Sequence, residues 1–405
     1  MYRRIIRPLL FLLNIEQARR LSIGLLRFIG LIPGGRWLLG KCCAVRHPAL
    51  EREVFGLRFR NPVGLAAGFD RCGEAHRELT AMGFGFVEIG TLTPRPQPGN
   101  PRPRVFRLPA DRAIVHRTGL ANRGLATAIR HLRRPHPGVI VGCNIGRNTS
   151  TPPENAADDY LKLFRNLYQY ADYFSVNIGC GNLRDEEQTD IREQILQILD
   201  PLFDFRRGQN QYRPVMLKIS PDMTDEMIDT VTDILIDTPL DGIVATTGTL
   251  DREGLHTDAA TLARIGMGNL SGAPLTQRAI AVVRRIHTRS GGTYPIIGVG
   301  GLMNADDVRA MLAAGADLVQ LYTGLVYEGP KLVGDICRAL AADAEKEQVA
   351  EQPEEAADTS GVSEQPASPR QETEDAAITD AGIAGQTPSA SAPSDSSDLS
   401  ASTAE

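Results

Sequence analysis

Short apolar runs recur along the chain from residue 63 onward, and most are followed by a helix-like stretch. The runs span 63–67, 86–91, 139–144, 173–178, 215–220, 242–246, 296–299 and 318–322. Near-continuous apolar character over so few residues is what parallel strands covered on both faces show. Helical spacing of apolar positions follows at 74–82, 121–133, 155–171, 188–200, 224–236, 275–289, 304–314 and 331–342. The seventh of these is clearly punctuated, with Asn304 as N-cap, Asp307 three residues on and Gly315 just past its end. Eight strand–helix alternations in about 280 residues predict an α/β fold, the (β/α)8 or TIM barrel. An open doubly wound sheet would carry a glycine fingerprint of the G-x-G-x-x-G type after its first strand, and none stands there. Residues 54–59 are expected to form a hairpin arm closing the barrel bottom.

The pattern before residue 51 is different. Residues 1–50 hold nine Arg or Lys and one acid, Glu16, around two apolar stretches, 5–13 and 21–32. Leu21, Leu25 and Ile29 share one helical face, with Leu26 beside it. Neither stretch reaches the roughly 20 apolar residues of a spanning helix. Three readings are open from the pattern: a pair of interfacial amphipathic helices on anionic lipid, a helical hairpin packed on the body of the protein, and an Arg-rich organellar presequence.

Charge divides the chain again near its end. The net charge of -5 conceals 15 acids against 2 bases in residues 343–405, which leaves 42 bases and 34 acids, or +8, for residues 1–342. The last segment has no Phe, Trp or Tyr and cannot bury enough apolar surface to offset its ordering entropy, so disorder is expected there. The six cysteines, at 42, 43, 72, 143, 180 and 337, make no C-x-x-C pair and no Cys/His cluster. Neither a metal site nor a disulfide framework is expected, and reduced thiols fit a cytosolic face.

In a TIM barrel the chemistry sits at the C-terminal strand ends, with phosphate often held after strands seven and eight. Strand seven ends in Gly300-Gly301 and strand eight in Tyr322-Thr323-Gly324, where backbone N–H groups and a hydroxyl can approach a phosphate. Strand five carries Lys218 in an apolar run, a costly placement without an anionic or electron-rich partner; an internal ion pair is the plain alternative. Strands three and four end in Asn144 and Asn177, whose amides both donate and accept. Cys180 follows strand four, either as a proton-accepting thiolate or as an ordinary buried thiol.

Longer motifs now add a resemblance. The run NPVGLAAGFD at 61–70, EIGTLTPRPQPGNP at 88–101, TLDR at 249–252 and PIIGVGG at 295–301 are similar to those of the class 2, quinone-dependent dihydroorotate dehydrogenases, over residues 1 to about 340. The resemblance implies FMN as cofactor, surrounded by Ala67, Gly68, Thr91, Asn144, Asn177, Lys218, Thr246, Gly272, Gly301, Tyr322 and Thr323. It implies substrate contacts at Arg71, His116, Asn177, Asn182, Thr247 and Gly248, and a catalytic base at Cys180. Most of these substrate positions depart from the family pattern. Arg71 stands for its lysine, His116 for an asparagine, Thr247-Gly248 for Asn-Thr, and Cys180 for the serine of class 2, cysteine being the class 1 choice.

The implied organisation is a membrane-associated helical segment at 1–50, an FMN-binding barrel at 51–342 and a disordered acidic tail at 343–405. The implied activity is oxidation of dihydroorotate to orotate with quinone as acceptor, in pyrimidine biosynthesis, at the cytoplasmic face of the cell membrane. Nucleic acid is not an expected partner. Two alternatives stay open: a membrane-associated FMN paralogue acting on another small molecule, and a flavin-binding scaffold without turnover.

Overall fold

The computed structural model describes residues 2–134, 138–179 and 190–351. Cys180, Asn182 and nearly all of the acidic tail lie outside these. From Tyr2 the chain folds as a π-helical turn (Tyr2–Ile6), then α1 (Arg7–Leu12), α2 (Ile15–Leu31) and α3 (Gly35–Cys43). Asn14 starts α2 with a reciprocal capping box to Gln17. The helices have two faces. Ala18 and Ile23 are buried, and Leu26 and Leu39 pack against the barrel core, while Leu21, Leu25, Phe28, Leu31, Trp37 and Leu38 are exposed. A helical segment packed on the body is thus observed, and it still leaves a broad apolar face uncovered. No single helix among the described residues is long and apolar enough to cross a bilayer.

The strands in chain order are β1 (Arg52–Val54), β2 (Leu57–Phe59), β3 (Val63–Leu65), β4 (Phe86–Leu92), β5 (Val105–Leu108), β6 (Ala113–His116), β7 (Ile140–Ile145), β8 (Tyr173–Asn177), β9 (Val215–Ile219), β10 (Gly242–Ala245), β11 (Asn269–Gly272), β12 (Ile296–Val299) and β13 (Leu318–Leu321). All eight apolar runs predicted as strands (β3, β4, β7, β8, β9, β10, β12, β13) form one closed barrel in chain order. β13 returns to β3 with Val319 opposite Val63. The eight predicted helices also form, seven between consecutive barrel strands and the eighth after β13. Asn304 caps the seventh by accepting from the Asp307 N–H at 3.0 Å. The eighth, Leu332–Glu351, runs past the boundary placed at 342, because the Ala- and Glu-rich sequence there favours helix and Asp343 pairs with Arg309.

The arm is the hairpin β1–β2, turned by Phe55 and Gly56 at positive φ, 40° and 75°. Phe55 and Phe59 meet Phe86 and Tyr173, the first residues of β4 and β8, so the arm plugs the N-terminal end of the barrel. Periodicity did not reveal a second sheet, β5–β6–β11, made by two excursions from the barrel. It lies beside α2, where Arg104 of the loop before β5 reaches Glu16, and it forms a wall at the barrel mouth.

Candidate active site

Barrel strands turn alternate residues inward, so positions two apart in sequence stack in layers along the axis. The lowest layer is apolar: Phe86, Tyr173, Met216, Val244, Ile297 and Leu318 cluster together. Two residues further along β4, β8, β9 and β13 the side chains are Glu88, Ser175, Lys218 and Gln320, and β7 adds Asn144 at the same height. This second layer is polar and dry. Glu88 and Asn144 are fully buried, with Lys218 and Gln320 nearly so.

Glu88 is the hub of that layer. Its Oε1 accepts from Lys218 Nζ at 3.1 Å and Asn144 Nδ2 at 2.9 Å. Its Oε2 accepts from Gln320 Nε2 at 2.8 Å and Tyr173 OH at 3.1 Å. Burial and the Glu88 charge push the Tyr173 phenol well above its ordinary value, so it remains a donor. The internal ion pair offered as the plain reading of Lys218 is therefore present, with Glu88 as its partner, and Lys218 also faces the cavity above.

That cavity, of about 860 Å³, opens at the C-terminal strand ends. All eleven residues expected around FMN line it, and so do Arg71, His116, Thr247 and Gly248. Cys180 and Asn182, which the sequence places with them, are outside the described residues. At one end the glycine turns converge. A Cβ on Gly301, where φ is +69°, would stand 2.5 Å from the Gly272 carbonyl oxygen and 2.3 Å from Thr276 Oγ1. Only glycine lets these backbones come together. Thr323 Oγ1 lies 2.9 Å from Ser271 Oγ in the same corner.

The mouth is cationic. Arg71 donates to the carbonyls of Gly68 and Ala121 at 3.4 and 3.3 Å and lies 3.8 Å from Glu16. Glu16 also accepts from Arg104 at 2.7 Å. Burial works to raise Glu16, but the Arg104 bond and the surrounding guanidiniums outweigh it and hold the carboxyl below its usual range. Burial, with Arg71 and Arg252 nearby, lowers His116 to about 4, so its imidazole is neutral at pH 7. It can then donate one hydrogen bond and accept another. Ile15, Glu16 and Arg19 line the same cavity, which joins the barrel mouth to α2.

Glu88 and Gln320 were missed from sequence. The signal was there: Glu88 is the one charged residue of β4 and Gln320 the one polar residue of β13, the kind of feature that singled out Lys218.

An eight-stranded parallel barrel with a glycine-lined pocket at the C-terminal strand ends has the form of a cofactor- and small-ligand-binding TIM barrel. The family profile described as dihydroorotate dehydrogenase matches residues 49–343. A protein named dihydroorotate dehydrogenase (quinone) from Thermosynechococcus vestitus is 44% identical over 360 residues, covering 85% of this chain and 98% of its own length. One of the same name from Christiangramia forsetii is 43% identical over 336 residues, covering 83% and 97%. The crystal structure of DHODH from Eimeria tenella in complex with ferulenol superposes with a TM-score of 0.74 at 30% identity, over 83% of this chain and 93% of that one. The chain belongs to the dihydroorotate dehydrogenase family.

Proposed function

We propose that this protein is an FMN-dependent dihydroorotate dehydrogenase that passes electrons to quinone at the cytoplasmic face of a membrane. The observation that carries the reading is a single cavity that runs from the polar floor at Lys218 and Gln320, past the glycine cradle, to Ile15 and Arg19 of α2. The residues present fit FMN. Gln320 Oε1 is buried and has no hydrogen-bond partner among the described residues, an acceptor left for a ligand donor. The Gly272, Gly301 and Thr323 corner leaves backbone close to ligand and suits a phosphate.

In this reading Lys218, Asn144, Gln320, Thr91 and Thr246 hold the flavin ring, and the cradle holds its phosphate. Bound FMN would supply a two-electron acceptor that can return electrons to a quinone. Arg71 supplies the positive charge for the substrate carboxylate. Neutral His116 and Thr247 orient the ring by hydrogen bonds. Cys180, assigned from its place in the sequence, is the base for the C5 proton of dihydroorotate. The exposed apolar face of α2 and α3, flanked by Arg20, Arg27 and Lys41, rests on lipid and opens the cavity to quinone.

A second reading is favoured by one feature. Arg71, His116, Thr247 and Gly248 depart together from the family's substrate ring, and a site built to bond an imide weakens when its amides go. That reading keeps FMN and quinone and changes the oxidised molecule. Anaerobic addition of dihydroorotate to the purified yellow protein separates the two. Bleaching of the flavin bands is expected; a flavin that stays oxidised sinks the dihydroorotate reading and leaves the second.

A further inference from the structure

The polar floor has an internal logic that the substrate and cofactor contacts do not use up. An ionised carboxylate only accepts hydrogen bonds. Glu88 therefore decides which way its amide neighbours turn. Asn144 must point Nδ2 down toward Glu88 Oε1, which turns Oδ1 away from it. That oxygen accepts from Asn177 Nδ2 at 3.4 Å, and the same Asn177 nitrogen donates to Thr91 Oγ1 at 3.1 Å. Gln320 must likewise point Nε2 at Glu88, which presents Oε1 as its remaining polar atom. Lys218, flexible by nature, is tied at the same carboxylate. Asn144, Asn177, Thr91, Gln320 and Lys218 all line the cavity, whereas Glu88 lies beneath its wall.

We propose that Glu88 is a positioning residue: its single buried negative charge fixes the donor and acceptor pattern that the cavity floor shows to the flavin ring, and it acts chiefly through Lys218. The inference rests on the flavin reading above. It assigns no contact between Glu88 and cofactor or substrate. Because the carboxylate sits one layer below the cavity, its effect reaches the ring only through the groups it orients. Glutamine in its place keeps the shape but brings one donor and one acceptor to a position where four donors converge. Some neighbouring amides must then flip, and Lys218 loses its counter-charge.

The test uses the full-length holoenzyme. FMN release is followed by its fluorescence on dilution, and the midpoint potential of bound flavin by dye-coupled reductive titration. Glu88→Gln is expected to weaken FMN binding at least tenfold and to move the midpoint potential away from wild type. Tyr173→Phe removes one donor to Glu88 but keeps the charge and the ion pair. It is expected to weaken binding no more than about threefold and to leave the potential in place. In a Lys218→Met background, adding Glu88→Gln is expected to change FMN affinity less than twofold. Multiplying effects in that background would show that Glu88 serves the core and not the lysine, and would overturn the proposal. So would a Glu88→Gln protein with wild-type affinity and potential. If Glu88→Gln does not fold, Glu88→Asp, which keeps the charge on a shorter stem, takes its place and must still shift the potential. A wild-type protein that holds no flavin overturns the flavin reading itself, and is told apart by colour before any variant is made.

Discussion

The floor and the mouth of the cavity are built on opposite plans. The floor is made by strands. Its charged pair, Lys218 and Glu88, is dry, and every group on it is cross-bonded to another. The mouth is made by loops, the excursion sheet and α2. Its charges, Arg71, Arg19 and Glu16, are partly open and meet across separate segments of the chain. Among the described residues, those that depart from the family pattern all belong to the mouth: Arg71, His116, Thr247 and Gly248. Changing one member of the floor leaves several partners unsatisfied inside a low-dielectric core, whereas a loop residue near solvent can be exchanged at small cost to the fold. Under the proposed function, the difference accounts for a flavin cradle that is kept while the substrate ring drifts.

The sharpest way to break this comparison is to remove the lysine of the floor. Lys218→Met leaves Glu88 buried without its counter-charge, and losing one partner of a buried pair costs about 3–5 kcal/mol. Adding Glu88→Gln should recover part of that loss, because the uncompensated charge goes too. Urea unfolding of the two variants measures both values. A Lys218→Met protein within about 1 kcal/mol of wild type would mean that the floor is not the rigid half of the site.

The two halves also differ in how far sequence discloses them. Near-continuous apolar runs marked every barrel strand, since a strand covered on both faces has few polar positions to spare. For the same reason Lys218 stood out. Glu88 and Gln320 broke the same rule and were passed over, because the bonds from Gln320 and Lys218 to Glu88 show only when the closed barrel brings β4, β9 and β13 around one axis. The mouth was harder. His116 ends β6, in a sheet whose third strand, β11, lies more than 150 residues on, and local periodicity carries no sign of such a pairing. Arg71 was seen as a substrate residue, but its neighbour Glu16 belongs to a helix read as a membrane element. Long-range contacts of this kind depend on tertiary closure and leave no local trace.

A smaller effect tests the mouth. His116 is held near 4 in the folded protein by burial and by Arg71 and Arg252, against 6.5 when unperturbed. Between those values the unfolded chain binds more protons than the folded one, so stability falls as pH drops from 6.5 toward 4. The ring keeps part of its surface on the cavity, which lets solvent screen it, so the loss is about 1–2 kcal/mol rather than the full value of such a shift. Unfolding free energies at pH 7 and pH 4.5 should therefore diverge by that amount more in wild type than in His116→Asn. Equal losses in the two proteins would show that the imidazole is already protonated or well solvated in the native state.

The smallest expected effect on stability lies on α2, where floor-like packing and mouth-like exposure share one helix. Ile23 is 4% exposed against the barrel, while Leu21, Leu25 and Phe28 are 55%, 56% and 61% exposed. The exposed three touch little that folding needs, so replacing them together by glutamine should change the unfolding free energy by no more than about 0.5 kcal/mol per site. Each buries apolar area only if lipid covers it, at about 25 cal/mol per Å². Sedimentation with anionic vesicles should then fall by more than tenfold while the flavin spectrum stays unchanged. Ile23→Gln should do the reverse, destabilising the fold by about 2–4 kcal/mol and leaving vesicle binding of the folded fraction intact. If the triple variant pellets with vesicles as wild type does, this face does not meet the membrane, and the apolar surface of α2 and α3 needs a different cover.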